Sequence, residues 1–178
     1  LGLGVEMENR GRIIACDIDR NRLGRLLPRA DRAGLTIVET RLLNPRQEEA
    51  MLADLEGLAD VVMVDAPCSG LGSWRRNPEN RWRLTEARLR RLELAQAELL
   101  RIGARLVKPG GKLIFVVCSL LDSEGNEQIT QFLRENPAQW QVKALDLPLG
   151  TGYGHGWRLH PATDKSDGFF IAAIEKIC

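Results

Sequence analysis

The chain has 178 residues, of which 44% are hydrophobic and 28% charged, and a formal net charge of +1. That is enough chain for one globular domain with a real core, and it holds neither an apolar run long enough to span a membrane nor a basic-then-apolar leader. Four widely spaced cysteines without a CxxC, beside two histidines, argue against a disulfide scaffold and against a zinc or other metal site, and the expected setting is the reducing cytoplasm.

In chain order, residues 1–9 carry a helical apolar pattern with no start signal, as in the tail of a helix begun earlier. A short strand over 12–17 ends on Asp17. An Arg-rich amphipathic helix is expected over 20–33 and stops at Gly34. The next strand covers 35–40, and a helix follows over 45–58, with Pro45 in its first turn. Residues 60–65 form a strand, 77–84 a loop, and Thr85 caps a long helix reaching Val107. Lys108-Pro-Gly-Gly111 reads as a turn before a strand over 112–118. A helix from Ser123 or Glu124 to Glu135, a weak strand over 140–145, a loop over 147–168 and a last strand over 169–174 complete the chain. Strands alternating with helices of ten or more residues imply an α/β fold with a mostly parallel, doubly wound sheet and helices on both faces. No repeat or linker divides the expected single domain over 1–178.

Two stretches carry the chemistry. Val61-Val-Met-Val64 is a continuous apolar run of the kind buried in parallel sheets, and it stops at Asp65-Ala-Pro67-Cys68-Ser-Gly70. Lys112-Leu-Ile-Phe-Val-Val117 repeats the design and delivers Cys118 and Ser119. In open α/β sheets ligands bind outside the carboxyl ends of the strands. Adjacent strands lie about 4.8 Å apart, so neighbouring strands here would gather two thiols and one carboxylate in a single site. Cys16 and Cys178 read as small hydrophobes.

Charge is unevenly spread. Between Trp74 and Arg91 seven arginines stand against two glutamates, and arginine outnumbers lysine by 20 to 5 over the whole chain. Arginine grips phosphate as a planar fork and stacks on bases, so the stretch suits a polyanionic partner. A solvated helix face explains the same charges, and composition leaves both readings open.

With Asp65-Ala-Pro-Cys68-Ser-Gly and Val117-Cys118-Ser119 in view, the sequence resembles the S-adenosylmethionine-dependent RNA cytosine-C5 methyltransferases of the RsmB (Sun/Fmu) type. Gly72-Ser-Trp-Arg75-Arg76-Asn77-Pro78, Lys108-Pro-Gly-Gly111, Glu124-Gly-Asn126-Glu127 and Asp167-Gly168-Phe169-Phe170 extend the resemblance over nearly the whole chain. It implies a Rossmann-like class I methyltransferase sheet with an antiparallel last strand. It also implies methyl transfer from S-adenosylmethionine to C5 of a cytosine in RNA, 16S ribosomal RNA being the expected substrate.

That chemistry needs a thiolate, because C5 of cytosine becomes nucleophilic only after a nucleophile adds to C6. The resemblance makes Cys118 the nucleophile, Cys68 the residue assisting product release, and Asp65 the group holding the cytosine edge. Asp65 and Pro67 also count among the implied cofactor contacts. Asp17, at a strand end, suits the cofactor ribose hydroxyls, with Asp19 a competing candidate and a surface carboxylate the plainer reading. Arg75, Arg76, Arg81 and Arg83 follow the catalytic loop closely enough to reach RNA phosphates.

Two departures stand out. The family's glycine-rich cofactor loop and its central strand, together with a helical RNA-binding extension, would precede residue 1. The chain is therefore expected to be the carboxyl-terminal part of such an enzyme. Arg41 stands where the family usually has an acidic residue near the adenine. An RNA-binding module without catalysis is one alternative. Another is an NAD-dependent oxidoreductase, which Asp17 would also suit but which has no use for paired cysteines.

Overall fold

In the computed structural model, which describes residues 1–177, the chain divides into two compact units, one of residues 1–54 and one from Leu55 onward. Cys178 lies outside the described residues.

The first unit holds α1 (Gly2–Glu6), β1 (Ile13–Asp17), α2 (Arg20–Gly24), α3 (Leu26–Arg32), β2 (Val38–Leu42) and α4 (Glu48–Met51). β1 and β2 are parallel, in register from Ile13↔Val38 to Asp17↔Leu42. Such a pair needs a crossover, and α2 with α3 supplies it. The sequence predicts one helix here, but Pro28 lacks the N–H that would bond to the Gly24 carbonyl and its ring crowds that turn. The helix accordingly breaks at Arg25. The helix expected over 45–58 shrinks to the single turn of α4. Arg46 sits at φ +69°, which keeps Pro45 out of the helix, and the Arg41 guanidinium donates to the Met51 carbonyl at 3.1 Å, satisfying a helix-end acceptor that another turn would otherwise use.

The second unit is built on a six-stranded mixed sheet. β3 (Ala59–Asp65) runs parallel to β4 (Val107–Val117), joined by the 21-residue α5 (Glu86–Leu106). The Thr85 hydroxyl accepts from the Arg88 N–H at the start of α5, the cap its sequence predicts. After α6 (Asn126–Glu135), β5 (Trp140–Lys143), the hairpin of β6 (Thr151–Tyr153) and β7 (Gly156–Leu159), and α7 (Pro161–Asp164), the chain enters β8 (Phe169–Lys176). β8 runs antiparallel to β4 on one side and to β5 and β7 on the other.

The hairpin replaces part of the loop expected over 147–168. Its turn glycines hide the strand pattern. Gly154 has φ +54°, and a Cβ there would fall 2.0 Å from Asn126 Oδ1, which accepts the His155 N–H at 2.7 Å. Asn126 thus pins the hairpin to the start of α6.

The core lies where α5 and α6 cover one face of this sheet, around Leu100, Leu113, Phe115, Val117, Ile129 and Phe170, all 1% exposed or less. A Cβ on Gly103 would meet Leu113 and Val64 at 3.0 Å, so this glycine lets α5 lie close against β3 and β4 despite a mid-helix cost of about 1 kcal/mol. Strand alternation places Val61 and Met63 on the opposite face, where both are exposed. Among the described residues no helix is long and apolar enough to cross a membrane.

Candidate active site

β3 and β4 end side by side, with Asp65 paired in register to Val116. The Ala66 N–H extends the ladder by one bond to the Val116 carbonyl, 3.1 Å away. Both chains then leave the sheet, and the first residues beyond it include Cys68 and Cys118. Their sulfurs are 3.2 Å apart. The two loops are tied directly, the Gly72 N–H donating to the Cys118 carbonyl at 3.0 Å. Gly70, at φ +70°, makes the left-handed turn that starts this return.

The two thiols differ. The hydrogen bond from Cys68 draws Cys118 down from the ordinary 9.0 to about 7, against burial and the Asp65 carboxylate. Cys68 moves up, through its bond to Cys118 and because it is half-buried. The two sulfurs are therefore unequal, with Cys118 shifted toward the thiolate and Cys68 toward the thiol. Asp65 is exposed at the end of β3 beside them, and so is Pro67.

Behind the cysteines lies a group that sequence reasoning passed over. Glu124 is fully buried. Its carboxylate accepts from the Ser69 N–H at 2.7 Å, the Ser69 hydroxyl at 2.5 Å and Gln96 Nε2 at 3.2 Å. Gln96 Nε2 also donates to the Pro67 carbonyl at 2.9 Å, and the hydroxyls of Ser69 and Ser119 are 3.3 Å apart. Two signals could have shown this. A serine follows each cysteine, and Gln96 is a polar residue on the otherwise apolar stripe that α5 turns inward.

The arginines divide. Arg76 grips Asp167 through Nε, at 2.8 and 3.1 Å, and through a second nitrogen. Arg75 is at the edge of the same carboxylate, 3.9 Å away. Arg81 and Arg83 are exposed, and between them Trp82, 78% exposed, carries the Arg81 guanidinium 4.4 Å from its ring centre.

In the first unit, Asp17 Oδ1 accepts from the Asp19 N–H at 2.9 Å, and Oδ2 lies 3.6 Å from Arg22. Asp19 is engaged as the cap of α2, accepting from the Asn21 and Arg22 N–H groups, which leaves Asp17 the better placed of the two. Arg41 is turned to Asp54, with both carboxylate oxygens bonded at 2.5 and 2.9 Å. Among the described residues no cluster of His, Cys, Asp and Glu has the makings of a metal site.

Residues 3–175 match the family model for 16S rRNA methyltransferase RsmB/F. The chain belongs to this family. It is 31% identical over 172 residues to ribosomal RNA small subunit methyltransferase B of Klebsiella pneumoniae (strain 342), an alignment covering 97% of this chain and 38% of that protein. The crystal structure of PH0851 superposes with a TM-score of 0.90 at 36% identity, over 98% of this chain and 39% of that one. A methyltransferase homologue from Pyrococcus horikoshii gives 0.78 at 27% identity, over 96% of this chain and 55% of that one. The chain thus spans less than two fifths of the length of the curated relative.

As an RsmB/F member the chain has its shared motifs explained by contact. Asp65–Gly70 and Cys118–Ser119 form the thiol site, Glu124 sits beneath it, Asn126 holds the hairpin, and Asp167-Gly168 meets the Gly72–Arg76 segment. The sheet is the methyltransferase-like α/β arrangement that the sequence predicts.

Proposed function

We propose that this chain is the thiol-bearing part of an RNA cytosine-C5 methyltransferase using S-adenosylmethionine, with ribosomal RNA as substrate. The observation that carries the reading is the unequal sulfur pair at the ends of two parallel strands. A single buried thiol has many explanations; two in hydrogen-bond contact, one lowered toward neutrality, suit covalent catalysis.

Cys118 thiolate adds to C6 of the cytosine, forming a carbon–sulfur bond and placing the displaced electron pair on the ring, where C5 becomes nucleophilic. Asp65, exposed beside the sulfurs, holds the N3 and amino edge of the base. After C5 is substituted its proton leaves, the double bond re-forms and the sulfur is expelled. Cys68 assists that last step. The hydrogen bond that lowers the Cys118 pKa also stabilises it as a departing thiolate.

In the first unit, Asp17 keeps lone pairs for the ribose hydroxyls of S-adenosylmethionine beyond its bond to the Asp19 N–H. In the second, Asp65 and Pro67, beside the thiols, are the proposed cofactor contacts. When bound, the cofactor supplies an electrophilic methyl group. For the RNA, Arg75, Arg81 and Arg83 offer phosphate contacts, and Trp82 offers a face on which a base can stack. Arg76 was expected in this group, and its ion pair with Asp167 favours a part in shaping the loop.

The test is covalent capture. Given cofactor, the complete enzyme should form a denaturation-resistant adduct with RNA carrying 5-fluorocytosine at the target, through Cys118. An adduct at another residue, or none with an enzyme that still methylates, would overturn the assignment.

A further inference from the structure

Each hydroxyl has one proton to donate, and this fixes the direction of every bond around Glu124. The Ser69 hydroxyl gives its proton to the Glu124 carboxylate, so in the contact between Ser69 and Ser119 the donor must be Ser119. Ser69 Oγ also accepts from the Leu71 N–H and Ser119 Oγ from the Leu121 N–H, at 3.3 and 3.2 Å. The result is a directed chain, Ser119 to Ser69 to Glu124, with a bond from Gln96 entering the same carboxylate. Ser69 adjoins Cys68 and Ser119 adjoins Cys118. Every neighbour bonded to Glu124 is a donor, and the three residues Ser119, Gln96 and Glu124 are fully buried.

We propose that Glu124 is a positioning residue for the catalytic thiols: as the acceptor that ends the chain from Ser119 through Ser69, it fixes the two loops and with them the sulfur separation on which the Cys68–Cys118 hydrogen bond depends. The inference rests on the reading of Cys118 as nucleophile. A hydrogen bond between sulfurs at 3.2 Å weakens steeply with misalignment, so a small shift of either loop removes what distinguishes the thiols. A glutamine at 124 keeps the shape but replaces one acceptor oxygen with an amide donor. At Oε2 the amide faces the Ser69 hydroxyl and the serine chain reverses; at Oε1 it faces the Ser69 N–H and Gln96 Nε2, and both of those bonds are lost.

The charged and titratable groups facing Cys118 are Cys68, Asp65, Glu124 and Arg76. Asp65 and Arg76 are untouched by the substitutions below. Glu124→Gln also removes a negative charge that holds the Cys118 pKa up, so that change alone would lower the midpoint. It is a smaller influence than the bond from Cys68, a rise therefore reports loss of that bond, and Ser69→Ala leaves the charge in place.

The experiment is alkylation of the chain by iodoacetamide across pH 5–10, with peptide mass spectrometry reading Cys118 and Cys68 separately. Only the thiolate reacts, so the midpoint of the rate profile reports ionisation without RNA or cofactor. In the wild type, Cys118 should react first, with a midpoint near neutrality. In Glu124→Gln that midpoint should rise by at least one pH unit, which makes Cys118 about tenfold slower at pH 6, while circular dichroism and cooperative unfolding persist. Ser69→Ala should shift it in the same direction, and this smaller change carries the test if the glutamine variant does not fold. A folded Glu124→Gln or Ser69→Ala with an unaltered Cys118 profile overturns the positioning role. A wild-type Cys118 no more reactive than Cys68 would instead overturn the proposed nucleophile.

Discussion

Gly72 and Gly168 touch backbone to backbone. The Gly168 N–H donates to the Gly72 carbonyl at 2.9 Å, and a Cβ on Gly72 would lie 2.0 Å from the Gly168 carbonyl oxygen. Since the Gly72 N–H also holds the Cys118 carbonyl, one residue joins the Cys68 loop, the Cys118 loop and the entry to β8. Gly72→Ala should therefore strain all three, with a stability loss of about 1–3 kcal/mol typical of overpacking and a lower Cys118 alkylation rate. Denaturant unfolding measures the first and mass spectrometry the second. An alanine variant matching wild type in both would mean that the loops part freely.

The two cysteines should separate by phenotype in the complete enzyme. Cys118→Ala should abolish both methyl transfer and adduct. Cys68→Ala should instead let the RNA adduct accumulate, because the proton donor that stabilises the departing sulfur has gone. Gel-shift analysis under denaturing conditions distinguishes them, and the opposite pattern would exchange the roles.

Removing Arg75, Arg81 or Arg83 should weaken RNA binding and lower the slope of log affinity against log salt by about one per lost phosphate contact. Trp82→Ala should weaken binding with little change in that slope, because stacking releases no counterions. Titrations at several salt concentrations would decide. A slope indifferent to all three arginines would return the stretch to a solvated surface.

The Arg76–Asp167 pair should respond to acid. The guanidinium holds the Asp167 carboxyl below its usual range. A carboxyl depressed in the folded state contributes stability above its unfolded value, near 4, and loses it as pH falls through the lower folded value. The stability difference between wild type and Asp167→Asn should then be constant from about pH 5 upward and vanish in stronger acid. A difference that grew on acidification would contradict the pairing.

β3 has one edge without a ladder partner among the described residues, and Val61 and Met63 beside it are 57% and 55% exposed. Such an edge is a template for another chain. The 178-residue chain should self-associate in sedimentation as concentration rises, and lysines at both positions should suppress this. A monomer at all concentrations would show the edge to be protected.

The sequence made the thiol site legible because its signal is local: two apolar runs, each ending on a turn with a cysteine, need only be neighbours. Glu124 was harder to see. It contacts Ser69 across 55 positions, and no spacing within one element announces that. Gln96 was hidden for a related reason, since a polar residue on an apolar stripe shows that something must be satisfied without showing what. Around β6 and β7 the glycines that allow the tight turn also erase the alternation by which strands are recognised. At α2 and α3 the helical periodicity of the apolar residues outweighed Pro28, whose missing N–H settles the matter.

The Lys108–Gly111 excursion has a practical side. Ala59 pairs with Val107 and Val61 with Lys112, so β4 leaves the ladder, takes up three extra residues and rejoins it in a shifted register that then runs regularly to Asp65↔Val116. Gly111 must stay, since a Cβ there would lie 2.8 Å from Val107 and 2.9 Å from the Ala59 carbonyl oxygen. Lys108 and Pro109, by contrast, are exposed. A short peptide tag inserted between them would lengthen only the part of the chain that the sheet does not count. It would also sit at the opposite end of β4 from Cys118, roughly 20 Å away at strand rise. That makes it an attachment point for a fluorophore or surface tether that leaves the thiol face open.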